Sequence, residues 1–340
     1  MIRSYDLIIS YLVMLSNDII MAYKPPYTLT SSIIKTVGEV NLLIGKIQGY
    51  QLLTGNLRLR RQNKIKTVRS SLAIEGNTLS EDQISDILDG KTVIGPPREI
   101  LEVRNALKVY DIITELDAEK EDDLLKSHKL LMAGLIDDAG KYRRSGVGVV
   151  DGTKVIHIGP PFKMVPKLMG QLFDYLCNYD EEKIIQSCVF HYEFEFIHPF
   201  SDGNGRMGRL WQTLVLTKSY PILQFVPFET IIHQRQQGYY QALADSQSLG
   251  NSDPFIYFML DALKTALEYE AGRINVRQDF KSRILSFKDQ LTAEDFSRKD
   301  YQLYHKTISG PTATRDLKQG VNDNLLVKKG KLRTTRYRFR

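Results

Sequence analysis

The stretch HPFSDGNGRMGR, residues 198–209, places one His, one Asp, one Asn and two Arg on what reads as a tight turn between two helices. Pro199 disfavours helical geometry at His198, so the preceding helix is expected to end there. The glycines on either side of Asn204 let the backbone curl, and the next helix begins with unpaired N–H groups at its positive dipole end. The stretch therefore predicts a loop that binds an anion such as phosphate.

The side chains of this loop extend the prediction to a reaction. Arg206 and Arg209 are three residues apart, hence on one helix face, and guanidinium groups suit phosphate oxygens. Asp202 offers the hard oxygen that Mg²⁺ bridging phosphates prefers, and the His198 imidazole can accept a proton near neutral pH. Together they indicate attack of a hydroxyl on a nucleotide phosphorus. A plain loop with a core histidine is the alternative, and the convergence of all these residues disfavours it.

Composition restricts the class of protein. The chain has 340 residues, 42% hydrophobic and 25% charged, which predicts a globular protein of two or three domains. Two cysteines, Cys177 and Cys188, argue against a disulfide framework and suit the cytoplasm. The uncharged run of residues 7–17 is too short to span a bilayer, so no membrane association is expected. We interpret the first 20 or so residues as an amphipathic helix or an upstream extension rather than a signal peptide.

Helical patterns dominate the chain, and one segment departs from them. Ser80 and Gln83 have capping-box spacing, and Pro97 suits a first helical position. The segment GVGVVDGTKVIHI, residues 146–158, alternates around an Asp-Gly pair and predicts a β-hairpin. The expected fold is mainly α, a helical bundle with a β-hairpin flap, followed by a small C-terminal winged-helix domain. The expected domains are residues 1–95, 96–275 and 283–340.

The basic charge is concentrated in the last sixty residues. Residues 281–340 carry 15 Lys or Arg against 6 Asp or Glu, while the net charge of the whole chain is only +6. Residues 311–319 read as a recognition helix and the basic run around residues 328–330 as a two-stranded wing. This predicts contact with DNA through phosphates. Docking on the catalytic body or on a protein partner is an equal alternative. The residues expected to contact DNA are Arg315, Lys318, Lys328, Lys329, Lys331, Arg333, Arg336, Arg338 and Arg340.

Residues 198–209 match in full the signature of the Fic family, H-P-F-x-[D/E]-G-N-G-R-x-x-R, and the chain resembles that family from the KPPY segment at residues 24–27 onward. The resemblance implies an enzyme that transfers AMP from ATP to a Ser, Thr or Tyr hydroxyl of a protein. It implies that His198 is the base and that Asp202 holds Mg²⁺. Gly205 favours AMP transfer, since related Doc enzymes that transfer phosphate carry Lys there. The implied nucleotide-binding residues are Gly203, Asn204, Gly205, Arg206, Met207, Gly208 and Arg209.

A second motif predicts regulation. Glu75 precedes Gly76, a candidate helix C-cap, where a carboxylate faces the negative end of the helix dipole unless a cation compensates. A solvated glutamate is the plain alternative. Ser71 to Gly76 match the Fic inhibitory motif [S/T]-x-x-x-E-[G/N]. The resemblance implies that Glu75 pairs with Arg209 and inhibits the enzyme in cis.

Two further segments are candidates for substrate contacts. The exposed edge of the hairpin at residues 146–158 can pair with an extended segment of the protein target. Tyr239 and Tyr240 can wall an adenine, since every base has a π face. Adjacent tyrosines are otherwise often packing residues, but the resemblance places them at the nucleoside pocket.

Two alternative functions stay open: a DNA-binding regulator whose core senses nucleotide, and removal of AMP from a modified protein. A homodimer is a further option for assembly.

Overall fold

The computed structural model describes residues 23–54, 57–151, 154–276, 280–291, 294–305, 308–330 and 334–340. The predicted N-terminal amphipathic helix, the hairpin turn and part of the predicted wing lie outside these residues. The described residues divide into two compact units, the first formed by residues 23–48 and 57–268 and the second by residues 49–54 and 269–340. The three domain boundaries predicted above remain predictions.

The first unit is helical around one short β-hairpin, as expected for a mainly α fold. Its helices are α1 (Ser31–Thr54), α2 (Leu57–Ile74), α3 (Glu81–Leu88), α4 (Pro97–Asp111), α5 (Glu121–Leu131), α6 (Val165–Asn178), α7 (Lys183–Ile197), α8 (Asn204–Ser219), α9 (Glu229–Gln234), α10 (Gln236–Leu249) and α11 (Asp253–Val276), with α1 and α11 continuing into residues of the second unit. Three 3₁₀ turns lie at Ile113–Glu115, Phe162–Met164 and Pro221–Phe225.

Local sequence signals explain several helix ends. Ser80 caps α3 through its Oγ, which accepts the Gln83 N–H, while the Gln83 side chain accepts the Ser80 N–H; the predicted capping box is confirmed. Pro97 is the first residue of α4, as predicted. Among the residues that the structure describes, no helix is long and apolar enough to cross a membrane.

Helix α7 is the centre of the first unit. Every residue from Ile184 to Phe194 is buried, as expected of a helix that is covered on all sides. It packs against α8, which is buried from Arg206 to Leu216. Trp211, the only tryptophan in the chain, is fully buried there and donates to the Ala118 carbonyl at 3.0 Å. This pair of helices fixes the turn between them, which is the candidate site.

The hairpin consists of β1 (Gly148–Asp151) and β2 (Lys154–Ile158), paired antiparallel with a register irregularity between Val149 and Val150. A bulge of this kind strengthens the local twist. Within the described part of the chain the sheet has only these two strands, so both keep an outer edge. The predicted hairpin is confirmed.

The second unit continues with α12 (Phe280–Gln290), α13 (Arg298–Tyr304), α14 (Gly310–Asn322), β3 (Leu326–Lys329) and β4 (Arg336–Phe339). The two strands pair antiparallel, and their core is closed by Ile284, Phe287, Phe296, Tyr301, Ala313, Leu317 and Leu326. Arg283 holds Asp316 with two parallel hydrogen bonds of 2.6 and 2.7 Å, and Tyr301 donates to the same carboxylate at 3.2 Å. The helix over the predicted recognition segment and the two strands follow in the expected order, α12 precedes them without having been predicted, and the assignment as a winged helix stays a prediction.

Candidate active site

The loop between α7 and α8 is shaped by its own backbone and by Asn204. His198 ends α7 in the left-handed conformation, with φ 51° and ψ 60°, and its N–H donates to Phe194 O at 2.9 Å. The Asn204 amide accepts the Phe200 N–H and donates to the Phe200 carbonyl, both at 2.9 Å. Gly203 has φ 87°, a conformation that favours glycine. The Asn204 side chain therefore closes the loop on itself through the Phe200 backbone.

The His198 ring is oriented by the helix that it ends. Its Nδ1 lies 3.3 Å from the Glu195 carbonyl oxygen, which can only accept, so Nδ1 is the donor. In a neutral imidazole this places the lone pair on Nε2. The Glu195 carboxylate lies 4.0 Å from Nδ1, and its side chain is 11% exposed. The ring is thus in the tautomer that a general base requires.

The Glu195 carboxylate is an acidic group that the sequence motifs did not reveal. Burial on its own raises the pKa of Glu195, but His191, His198 and Arg209 outweigh burial and lower it. Glu195 therefore remains charged beside the imidazole at neutral pH.

Asp202 lies at the exposed side of the loop. Its Oδ1 accepts the Gly203 N–H at 2.6 Å and an Arg206 N–H at 2.8 Å, and Arg98 lies 3.5 Å from Oδ2. The side chain is 41% exposed. Among the described residues no group of three or more His, Cys, Asp or Glu side chains could hold a metal ion. A single accessible carboxylate fits Mg²⁺ that arrives with phosphate ligands, not an ion held by the protein alone.

The two arginines of the loop are buried. Arg206 pairs with Asp202 and lies 3.5 Å from Glu102, a residue of α4. Arg209 is fully buried and donates from Nε to Ser71 Oγ at 3.1 Å and from Nη2 to the Ser71 carbonyl at 2.9 Å. The same Nη2 meets Glu75 Oε1 at 2.7 Å. Burial alone would lower the pKa of Arg209, but Glu75 outweighs it and the pKa lies above its ordinary value.

Glu75 reaches the loop from the end of α2. Gly76 follows it with φ 89° and donates to Ala73 O at 3.0 Å, which confirms the predicted C-cap. The Glu75 carboxylate also lies against Gly205, where an added Cβ would collide with Oε1. The expected Glu75–Arg209 ion pair is present, and it places a negative charge beside Gly205 at the start of α8.

A further histidine, His128 on α5, contacts the loop from the buried side. His128 is fully buried and stacks on Phe200, with ring centroids 3.6 Å apart. Its Nδ1 accepts the Gly140 N–H at 2.8 Å, so Nε2 carries the proton and donates to the Asp202 carbonyl at 2.9 Å. Burial lowers the pKa of His128 to about 4. No sequence pattern signals this role, because His128 is a lone histidine on α5.

The two adjacent tyrosines have different surroundings. Tyr239 is 1% exposed, and its hydroxyl lies 3.1 Å from His191 Nε2, whereas Tyr240 is 42% exposed. The His191 Nδ1 lies 2.6 Å from the Gln212 amide oxygen, and its Nε2 also lies 3.7 Å from Glu195 Oε1. Of the two rings, only that of Tyr240 has a large exposed surface.

Met207 and Gly208 lie on the buried side of α8. Met207 is fully buried, and an added Cβ on Gly208 would lie 2.7 Å from His191. Residues 204–209 thus form the first turns of α8, and Met207 and Gly208 contribute to its packing. Arg143, which the sequence analysis also missed, donates to the His198 carbonyl at 2.7 Å.

Comparison with known proteins gives a consistent assignment. Residues 116–216 match the model of the Fic/DOC family. The chain is 29% identical over 225 residues to the protein adenylyltransferase Fic of Nematostella vectensis and 31% identical over 230 residues to that of Aedes aegypti. These matches cover 62% and 63% of this chain but only 50% and 43% of the relatives, so the chain spans half or less of their length.

A solved structure matches over nearly the whole chain. It is a Fic family protein from Desulfovibrio desulfuricans G20, 42% identical, with a TM-score of 0.72, and the match covers 94% of this chain and 98% of that one. Together with the complete signature loop at residues 198–209, these similarities show that the chain belongs to the Fic family.

Proposed function

We propose that this protein transfers AMP from ATP to a Ser, Thr or Tyr hydroxyl of a protein. The observation that carries the proposal is the loop at residues 198–209, where an oriented imidazole, an exposed carboxylate and two arginines surround one anion-binding turn. The adenylyltransferases named above support AMP as the transferred group. Gly205 supports it too, because its position carries no lysine.

In the proposed reaction the target hydroxyl oxygen attacks the α phosphorus of ATP. A P–O bond forms to that oxygen, the bond between the α phosphorus and its bridging oxygen breaks, and pyrophosphate leaves. The hydroxyl proton moves to Nε2 of His198, which the Glu195 carbonyl leaves as the acceptor nitrogen. The backbone N–H groups at the start of α8 bind phosphate oxygens, and Arg206 and Arg209 add positive charge.

Asp202 is the residue that would hold Mg²⁺, and the ion would neutralise charge on the phosphates. Its present partners Arg206 and Arg98 would share or yield that carboxylate when ATP binds. Tyr240 supports an adenine contact because 42% of its surface is exposed. Tyr239 would act through packing, since it is buried against His191.

The hairpin is proposed to bind the protein target. Its outer edges are available in the described part of the chain, and an added strand would gain backbone hydrogen bonds without reading much sequence. The target hydroxyl would then be presented near His198, because residues on both sides of the hairpin are tied to that residue through Arg143.

Glu75 is proposed to inhibit this activity. Its carboxylate pairs with Nη2 of Arg209 and lies against Gly205. It would therefore repel an incoming γ phosphate and compete with that phosphate for Arg209. Because α2 belongs to the same chain and packs on α4 and α9, the inhibition acts in cis.

The test is transfer of label from α-³²P ATP in the Glu75→Gly variant and in the wild type. We expect self-labelling to rise by about ten-fold or more, the equivalent of roughly 1.4 kcal/mol. With γ-³²P ATP no protein should be labelled, which separates AMP transfer from phosphate transfer. Equal labelling of the two proteins would reject Glu75 as an inhibitory residue.

Two companion measurements complete the test. Replacing His198 by Ala in the Glu75→Gly background should lower transfer by about 10²–10⁴-fold while ATP still binds. Full transfer without His198 would reject it as the base. Release of AMP from an already labelled protein by the wild type, dependent on Glu75, would instead support the de-AMPylating alternative.

A second candidate function is DNA binding by the second unit. Arg315 and Lys318 lie on the exposed face of α14, and neither forms an ion pair with any residue that the structure describes. In contrast, Arg336 pairs with Asp300, and Arg338 pairs with Glu294 and Asp295. This division of charge favours α14 over β4 as the basic surface that contacts phosphates.

A further inference from the structure

Arg143 is a buried cation between the hairpin and the loop. It lies in the segment that leads into β1, and it is 2% exposed. Its guanidinium donates from Nε to the His198 carbonyl at 2.7 Å, from Nη1 to Ser145 O at 2.9 Å and from Nη2 to Pro160 O at 2.6 Å. A weaker contact joins Nη2 to Ile197 O at 3.3 Å. One side chain thus joins four carbonyl groups from three segments of the chain.

At the loop, these contacts hold a strained residue. His198 is one of two described non-glycine residues with positive φ, a conformation that side chains disfavour. The Arg143 backbone N–H also donates to the Pro199 carbonyl at 2.9 Å. Arg143 therefore fixes the carbonyl groups of both His198 and the residue after it, which determines where the imidazole is held.

At the hairpin, the same side chain binds both ends. Ser145 precedes β1 and Pro160 follows β2, and the strands are closed between them by Gly159 N–H donating to Val147 O at 3.1 Å. An added Cβ on Gly159 would lie 3.0 Å from Arg143 Nη2. The guanidinium therefore holds the two ends of the hairpin together by hydrogen bonds.

The chemistry of the contact is costly and specific. Burial lowers the pKa of Arg143, and no carboxylate forms an ion pair with it among the residues that the structure describes. Burying a cation whose only partners are neutral carbonyl groups costs free energy, so this arrangement is not explained by stability alone. The planar fork of five N–H donors matches several acceptors at once, and a lysine ammonium does not reproduce it.

We infer that Arg143 is a positioning residue that couples the target-binding hairpin to His198. It holds the edge that would pair with the target at a constant distance from the imidazole that would receive the proton. This inference rests on the proposed function. The proposed function thereby gains a residue outside both sequence motifs. Arg143 acts through His198 and the hairpin and does not contact ATP.

The test compares Arg143→Lys with Arg144→Lys, both in the Glu75→Gly background. Arg144 is exposed and makes a matched control. We expect Arg143→Lys to lower self-labelling from α-³²P ATP by about 10–100-fold, since a misplacement of about 1 Å can have that effect. The Kd for ATP measured by calorimetry should stay within about two-fold, while a general loss of structure would weaken ATP binding as well. Unchanged labelling in Arg143→Lys would overturn the inference.

Hydrogen exchange provides a readout that does not depend on activity. Arg143→Lys should speed amide exchange in residues 145–151 and 154–160 together with residues 194–200, and leave α6 protected. Faster exchange in only one of the two segments would overturn the coupling. If the Glu75→Gly parent labels nothing, the proposed function fails, yet this exchange pattern still decides whether Arg143 joins the two segments.

Rescue guards against a variant that simply misfolds. In Arg143→Ala, added guanidinium ion should restore part of the labelling, whereas the same concentration of sodium chloride should not. A lack of rescue together with retained ATP binding would count against the hydrogen bonds as the cause.

Discussion

At the residue scale, the site depends on how each buried polar group is satisfied. Arg209 has no exposed surface; its charge is balanced by Glu75, its Nε and Nη2 donate to Ser71, and its Nη1 has no hydrogen-bond partner in the described part of the chain. His128 is satisfied differently, as a neutral ring that accepts at Nδ1 and donates at Nε2. The His128 arrangement is stable only with a neutral ring, so the stability of the loop should depend on pH.

The pH dependence of His128 can be predicted with its sign. Its pKa is lowered to about 4 in the folded protein and is about 6.5 unfolded, so the unfolded chain binds more protons between these values. The stabilisation from the neutral ring is complete above pH 6.5 and is lost as the pH falls toward 4. The full loss is roughly 3 kcal/mol.

Urea unfolding followed by the fluorescence of Trp211 measures this effect, because the only tryptophan lies in the first unit. The wild type should lose more free energy of unfolding between about pH 7 and about pH 4.5 than the His128→Gln variant loses. Parallel pH curves for the two proteins would contradict the assignment.

At the scale of the element, helix α8 combines two close approaches in its first turns. Gly205 allows the end of α2 to reach it, and Gly208 allows α7 to pack tightly through His191 and Glu195. The glycines are three apart and serve different neighbours. The signature motif thus specifies packing between helices in addition to its proposed role in phosphate binding.

A pair of glycine variants tests this account of α8. An added Cβ on Gly208 would lie 2.7 Å from His191 and 2.9 Å from Glu195, whereas one on Gly170, inside α6, meets nothing within 4 Å. Gly170→Ala should therefore stabilise by about 0.5–1 kcal/mol through helix propensity. Gly208→Ala should destabilise by roughly 1–3 kcal/mol through overpacking.

Urea midpoints from Trp211 fluorescence compare these two variants with the wild type. If Gly208→Ala were as stable as Gly170→Ala, the close contact with α7 would not matter for folding. The opposite signs are the informative feature, because both changes are the same substitution in a helix.

At the scale of the whole molecule, charge is divided between the two units. The net charge of +6 comes from the last sixty residues, while the rest of the chain is slightly acidic. Much of the positive charge on β4 is neutralised locally by acidic residues of the same unit. The basic character that remains for a partner is therefore smaller and more localised than the composition suggests.

The DNA-binding proposal predicts different effects from α14 and β4. Replacing Arg315 and Lys318 by Ala should weaken binding to duplex DNA and reduce the slope of log K against log salt by roughly 1.8, about 0.9 for each phosphate contact. Arg336→Ala, whose guanidinium lies 3.5 Å from Asp300, should change the slope much less. Fluorescence anisotropy over a salt series measures both, and equal effects would contradict the proposed surface.

Much of the fold was predictable from local patterns. The spacing of apolar residues over 165–178 and 183–197 predicts two helices, and α6 and α7 have these bounds; the hairpin follows from an Asp-Gly pair between β-branched residues. The pattern of residues 37–68 predicts one helix or two but does not locate the end of α2 at Ile74, and the helical spacing of residues 206–218 is shorter than α8. The reason is that a helix continues for as long as tertiary packing covers it.

The sequence by itself determined the helical class, the hairpin and the turn at residues 198–205 between two helices, because these depend on residues close together in the chain. Tertiary structure alone decided which side chains support that loop. His128 lies 74 residues from Asp202, and Arg143 lies 55 from His198. The physical reason is that the contacts of a buried polar group are chosen by whichever segment the fold brings beside it, and no local pattern records that choice.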